Sequence, residues 1–192
     1  DVDSCKSTQS NSHGHNQMNA LYLDFDGPLH PNAAYINASG AHLRPPFEYH
    51  ELFENAPILD ELIGDAEDLQ IIISSNWSME MGLQECIDRL PKRIAERVTG
   101  TTWCPETLVR LGHQNPDLNS ADLRSAWRRH SRYEQIAAHA ESFGIPNWMA
   151  IDDQAERWPD TERNRLVHCD ERDGLSRTLT QAECGRALRK LL

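Results

Sequence analysis

Ala20-Leu21-Tyr22-Leu23-Asp24-Phe25-Asp26-Gly27-Pro28 decides how this chain is read. An apolar run that stops at two carboxylates and then meets Gly-Pro marks a buried strand whose C-terminal end opens into a loop. The pattern recurs at 69–73, which ends in Ser74-Ser75-Asn76, and at 148–151, which ends in Asp152-Asp153. A weaker strand is expected over 165–168. Helical spacing of apolar residues fills the intervals at 49–62, 83–97, 132–143 and 181–192, and Gly144 is placed as a helix stop. Strands alternating with helices predict an α/β fold with a mostly parallel central sheet and helices on both faces. In such sheets ligands bind outside the carboxyl ends of the strands.

Residues 1–18 are polar and nearly free of large apolar groups, so a disordered tail is expected there. Residues 19–192 are read as a single domain, with short cap-like insertions around 30–57 and 100–128. The chain has 30 acidic and 19 basic residues, a formal net charge of −11. That balance repels phosphate backbones and argues against binding an extended duplex. Five scattered cysteines without a Cys-x-x-Cys pair make poor material for a disulfide framework or a structural zinc site. No stretch reaches the roughly 20 apolar residues of a membrane helix. The first residues also lack the basic-then-apolar layout of a signal peptide. The expectation is a cytoplasmic protein without membrane partners.

Each strand end has its own chemistry. A carboxylate such as Asp24 can attack phosphorus, and a second one two residues later can manage protons. Gly27 lets the backbone turn and approach a phosphate. Taken alone, Asp24-x-Asp26 is equally at home as an ordinary turn. Ser74, Ser75 and Asn76 offer hydroxyl, amide and N–H donors for a phosphoryl oxygen, though such residues also cap helices. Arg132 opens a helix and can neutralise charge beside the nucleophile. Asp152 and Asp153, adjacent at the end of a buried strand, repel one another unless a cation sits with them. Mg²⁺ suits oxygen ligands shared with a phosphate.

In this order the pieces resemble the four motifs of the haloacid-dehalogenase (HAD) superfamily. Leu21 to Gly27 resembles the first motif, Ile71-Ile72-Ile73-Ser74 the second, Arg132 the third, and Ala150-Ile151-Asp152-Asp153 the fourth. Asp24-Phe25-Asp26-Gly27-Pro28-Leu29-His30-Pro31, Ser74-Ser75-Asn76-Trp77 and Asp173-Gly174-Leu175-Ser176 are similar to the HAD domain of "Swiss Army knife" RNA-repair proteins. The resemblance implies a Rossmann-like HAD fold and a Mg²⁺-dependent phosphatase working through an aspartyl-phosphate. In that scheme Asp24 is the nucleophile and Asp26 the acid/base, with Ser74 and Arg132 completing the catalytic set. The metal is expected at Asp24, the Phe25 carbonyl, Asp26, Asp152 and Asp153; Gly27, Ser75 and Asn76 would contact substrate. The expected substrate is a small phosphomonoester, a nucleotide or a nucleic-acid end. Pro28 and Arg132 depart from the usual residues, Thr or Val and Lys; a guanidinium fork is not a point charge. The competing reading is a HAD-like binding or regulatory module without turnover.

Overall fold

The computed structural model describes residues 18–192. The polar tail expected over 1–18 therefore lies, apart from Met18, outside the described residues.

Five parallel strands form the central sheet: β1 (Asn19–Leu23), β4 (Leu69–Ile73), β5 (Val98–Thr101), β6 (Asn147–Asp152) and β7 (Leu166–His168), in spatial order β5-β4-β1-β6-β7. Strands β2 (Ala34–Asn37) and β3 (Gly40–Leu43) make a separate antiparallel hairpin. The helices are α1 (Ala56–Ile63), α2 (Trp77–Met81), α3 (Leu83–Ile87), α4 (Lys92–Ala95), α5 (Pro105–Arg110), α6 (Ala121–Trp127), α7 (Arg132–Phe143) and α8 (Thr178–Leu191). The chain builds outward from β1 on one side, then crosses back to β6 on the other. That reversal makes the carboxyl end of β1 a topological switch point, the place where sheets of this kind bind ligands.

Residue alternation along β1 explains the layers. Leu21 and Leu23 point to one face, packed in a core that includes Leu59 of α1, Ile94 of α4 and Leu188 of α8. Ala20 and Tyr22 point to the other, with Ile136 and Ala140 of α7 and Ala150 of β6. A strand buried on both faces has no polar alternation, which is why its sequence reads as one apolar run. Each such Leu or Ile taken fully out of water contributes about 1.5–3 kcal/mol before chain entropy is charged against it.

Three expectations change in detail. The helix expected over 83–97 is two short helices, because Pro91 lacks an N–H and stands just before α4. Val98, which follows the expected helix at the same apolar spacing, begins edge strand β5 instead. The helix expected from residue 49 starts at Ala56, with Pro57 in its first turn where the missing N–H costs nothing. Helix α7 has the expected bounds. Ser131 and Glu134 form a reciprocal capping box at its start, and Gly144 ends it in the left-handed conformation at φ 62°.

Candidate active site

Strand register assembles the site. Leu23 pairs with Ile73 on one side and Ile151 on the other, so Asp24, Ser74 and Asp152 stand in one row at the sheet's carboxyl edge. The Asp24 N–H donates to Ile151 O (3.1 Å), and the Ser74 N–H donates to Leu23 O (2.9 Å). Period-two alternation puts the next side chain of each strand on the α7 face. There Arg132, the first residue of α7, meets them.

Arg132 is almost fully buried, as are Asp24 and Asp152. Its Nη2 donates to Asp24 Oδ2 (3.2 Å) and its Nη1 to Gln135 Oε1 (2.9 Å) and the Ser74 carbonyl. Nε lies 2.9 Å from Asp152 Oδ2, yet the N–H is not aimed at that oxygen, which leaves both atoms without a directed hydrogen bond. Burial pushes the guanidinium pKa down, but Asp24, Asp152 and Asp153 more than offset it, and the net shift is upward. One cation thus faces three carboxylates. Asp24 Oδ1 accepts the Phe25 N–H at 2.8 Å, which fixes the carboxylate plane.

Asp24, Asp152 and Asp153 each bring an oxygen to a group lying within 4.8 Å of one another. Burial, then the nearby Asp24 charge, drives the Asp152 carboxyl well up and the Asp153 carboxyl up to about 7. Asp152 Oδ2 and Asp153 Oδ1 are buried without hydrogen-bond partners. Carboxylate oxygens that lack directed hydrogen bonds, in a desolvated cluster of three acids facing one guanidinium, are the donor set a hard divalent cation takes. The residues present therefore fit Mg²⁺. Asp26 is not part of this cluster: its Oδ2 accepts the Trp77 indole N–H (2.8 Å) and its Oδ1 lies 3.2 Å from His30 Nε2. The Phe25 carbonyl accepts the Leu29 N–H at 2.9 Å, so one of its two lone pairs is already engaged.

The remaining expected positions separate by environment. Ser74 Oγ is buried with no partner, a hydroxyl free to meet a ligand. Ser75 Oγ lies 3.5 Å from the Trp77 N–H, and Asn76 Oδ1 accepts the Trp127 indole N–H at 3.2 Å. Those two side chains hold local structure. Gly27, at φ 87°, packs directly on Asp153: a Cβ there would stand 2.6 Å from the Asp153 Cβ. Gly174 is equally constrained, since its Cβ would fall 2.1 Å from the Gly27 carbonyl. The segment 173–176 closes over the first loop through this contact and the Leu175 N–H to Pro28 O bond (3.1 Å).

Sequence reasoning assigned no role to Asn32, whose amide donates to Asp153 Oδ2 at 2.6 Å, nor to Gln135, Trp77 or His30. Gln135 carried a faint signal, a polar residue on an inward-facing turn of α7. The others act across loops whose return path no periodicity reveals.

A parallel sheet with this strand order, acidic at the ends of its first and fourth parallel members and closed by a buried cation from the intervening helix, defines a HAD-type α/β domain of a hydrolase superfamily. The chain belongs to the family described as the HAD domain in Swiss Army Knife RNA repair proteins, whose sequence model matches residues 20–179. No curated protein and no solved structure matches it. Among the described residues no helix is long and apolar enough to cross a membrane.

Proposed function

We propose that the chain is a Mg²⁺-dependent phosphomonoesterase working through an aspartyl-phosphate. The observation that carries this reading is the fixed, buried Asp24 carboxylate with the Asp152 and Asp153 carboxylates beside it, where the one ion pair to Arg132 leaves the three-carboxylate cluster short of positive charge and Asp153 Oδ1 without a hydrogen bond. Asp24 attacks phosphorus as the ester P–O bond breaks, and Asp26 gives a proton to the departing oxygen. Water then attacks the same phosphorus, Asp26 takes its proton, and the Asp24 carboxylate leaves with inorganic phosphate released. Arg132 and Ser74 would offset charge on the non-bridging oxygens, while Asp24, Asp152, Asp153 and the Phe25 carbonyl would hold Mg²⁺. The bound ion supplies charge neutralisation and substrate orientation, the main contributions in phosphoryl transfer.

The favoured substrate is a phosphate at a nucleotide or nucleic-acid end. The family's description supports it. So do two guanidinium–ring pairs that involve the segment after the first motif, where the Arg44 guanidinium lies 5.4 Å over the Tyr35 ring and that of Arg172 5.8 Å over Phe47. Aromatic faces beside guanidinium groups suit stacked bases and phosphates. The test is a phosphomonoester panel, including 3′- and 5′-phosphorylated oligonucleotides, assayed with Mg²⁺ and with chelator. Asp24→Asn is expected to abolish turnover; activity near wild type would sink the assignment. Metal-dependent stabilisation with no hydrolysis across the panel would favour a binding module instead.

A further inference from the structure

His30 is fully buried and leaves neither ring nitrogen idle. The Phe53 N–H points at Nδ1 across 3.3 Å, and because an N–H can only donate, Nδ1 is the acceptor. The hydrogen of the ring then sits on Nε2, which faces Asp26 Oδ1 at 3.2 Å. The other oxygen of Asp26 receives the Trp77 indole N–H at 2.8 Å. A buried histidine is most often a satisfied core residue, and three features set this one apart. Its hydrogen bond ends on a partly exposed carboxylate beside the reacting centre, not on the core. The turn after Gly27 brings it there, through the Gly27 N–H to His30 O bond (2.8 Å). The group that aims it is strained: Phe53 holds φ at 63°, a region bulky L-residues avoid. Strain kept in a well-packed place points to a demand on local geometry.

The packing behind the clamp is aromatic. Phe53 meets His30 at 5.1 Å and Trp77 at 5.4 Å between ring centroids, His30 meets Trp77 at 5.5 Å, and Phe25 edges onto Phe53 at 5.1 Å. Rings locked edge-to-face leave the two N–H donors little freedom, and a carboxylate accepting both is held in one rotamer.

We propose that His30 is a positioning residue for Asp26: with Trp77 it fixes the carboxylate that handles the leaving-group proton, and Phe53 orients the imidazole. This rests on the phosphomonoesterase reading above. Proton delivery matters greatly when the leaving group is an alkoxide and little when it is a nitrophenolate, which departs without a proton. A misplaced Asp26 therefore harms the two substrate types unequally, whereas general damage to the fold harms them alike.

The experiment compares kcat/KM for an alkyl phosphate and for p-nitrophenyl phosphate in wild type, His30→Leu and His30→Gln. The ratio of the two does not depend on the fraction of active protein. His30→Leu is expected to lower kcat/KM on the alkyl ester by about 100-fold, the low end of what general acid catalysis supplies, and on the aryl ester several-fold at most. His30→Gln, which retains an N–H donor, is expected to recover most of the loss. Equal losses on both substrates, or no recovery by Gln, would overturn the proposal. A second readout needs no turnover: the indole N–H proton of Trp77, assigned by its loss in Trp77→Phe, should move in His30→Leu and stay in place in His30→Gln. If wild type hydrolyses neither these esters nor the phosphorylated oligonucleotides of the panel, the phosphomonoesterase reading fails. The clamp is then judged on the indole signal, and an unmoved resonance in His30→Leu overturns it.

Discussion

Arg132 and Asp24 form an ion pair at 3.2 Å with both side chains about 2% exposed, and the same guanidinium lies 2.9 Å from Asp152. Removing it strands buried carboxylates with no compensating charge, which typically costs about 3–5 kcal/mol. Arg132→Ala is expected to lose stability of that order by urea denaturation in chelator. The loss should shrink in Mg²⁺, because the ion supplies positive charge to the same carboxylates. Arg132→Lys should fall between, since an ammonium cannot reach Asp24, Asp152 and the Ser74 carbonyl in one geometry. An equal loss with and without Mg²⁺ would argue that the ion does not bind at this cluster.

The metal-free site also sets a pH dependence. Asp153 is raised by burial, and next by the Asp24 charge, from 3.8 to about 7. Between those values the folded chain keeps a proton that the unfolded chain has released. Stability without metal therefore falls as pH rises through this window, the reverse of a salt-bridged carboxylate. Mg²⁺ must displace that proton to bind, so its affinity weakens as pH drops below about 7. Thermal melts with chelator and with excess Mg²⁺ should diverge as pH climbs from about 5 to about 8, the range in which ligation outcompetes the proton. A constant gap between the two would contradict the cluster as the metal site.

How much of this was legible in the sequence follows from the range of each interaction. Strands β1, β4 and β6 announce themselves because burial on both faces forces mostly apolar runs, with Gln70 the one polar residue inside β4. Their ends then place Asp24, Ser74 and Asp152 in one row, since register follows from the pairing of Leu23 with Ile73 and Ile151. Arg132 is visible because it opens a helical run of apolar residues that Gly144 stops. The hairpin β2–β3 escaped, because half-exposed four-residue strands have little to alternate against. Trp77 and His30 escaped for another reason. Trp77 is 51 positions from Asp26, and His30, though only four away, reaches it through a turn whose path depends on Gly27 and Gly174 packing. Nothing in a residue's type says which loop will fold back upon it.

Behind the site, Tyr22 tests whether the deeper part of the α7 face contributes stability without entering the chemistry. Its hydroxyl lies 2.9 Å from His139 Nδ1, both residues are buried, and the ring sits edge-on to His139 and Trp148. Burial raises the phenol pKa, so the hydroxyl keeps its proton, and oxygen and Nδ1 share one buried hydrogen bond. Tyr22→Phe keeps the ring and deletes the hydroxyl, leaving a buried imidazole nitrogen unsatisfied at a cost of about 1–3 kcal/mol. Chemical denaturation should show that loss. The backbone of β1 stays bonded to β4 and β6, so Asp24 should hold its place and kcat/KM should stay within a few-fold of wild type. Adding His139→Phe removes the stranded nitrogen as well, and the double variant is expected to lose less than the two single losses combined. Strict additivity would mean the hydrogen bond carries no coupling, and a collapse of kcat/KM in Tyr22→Phe would mean that the α7 face positions Asp24 more directly than its strand does.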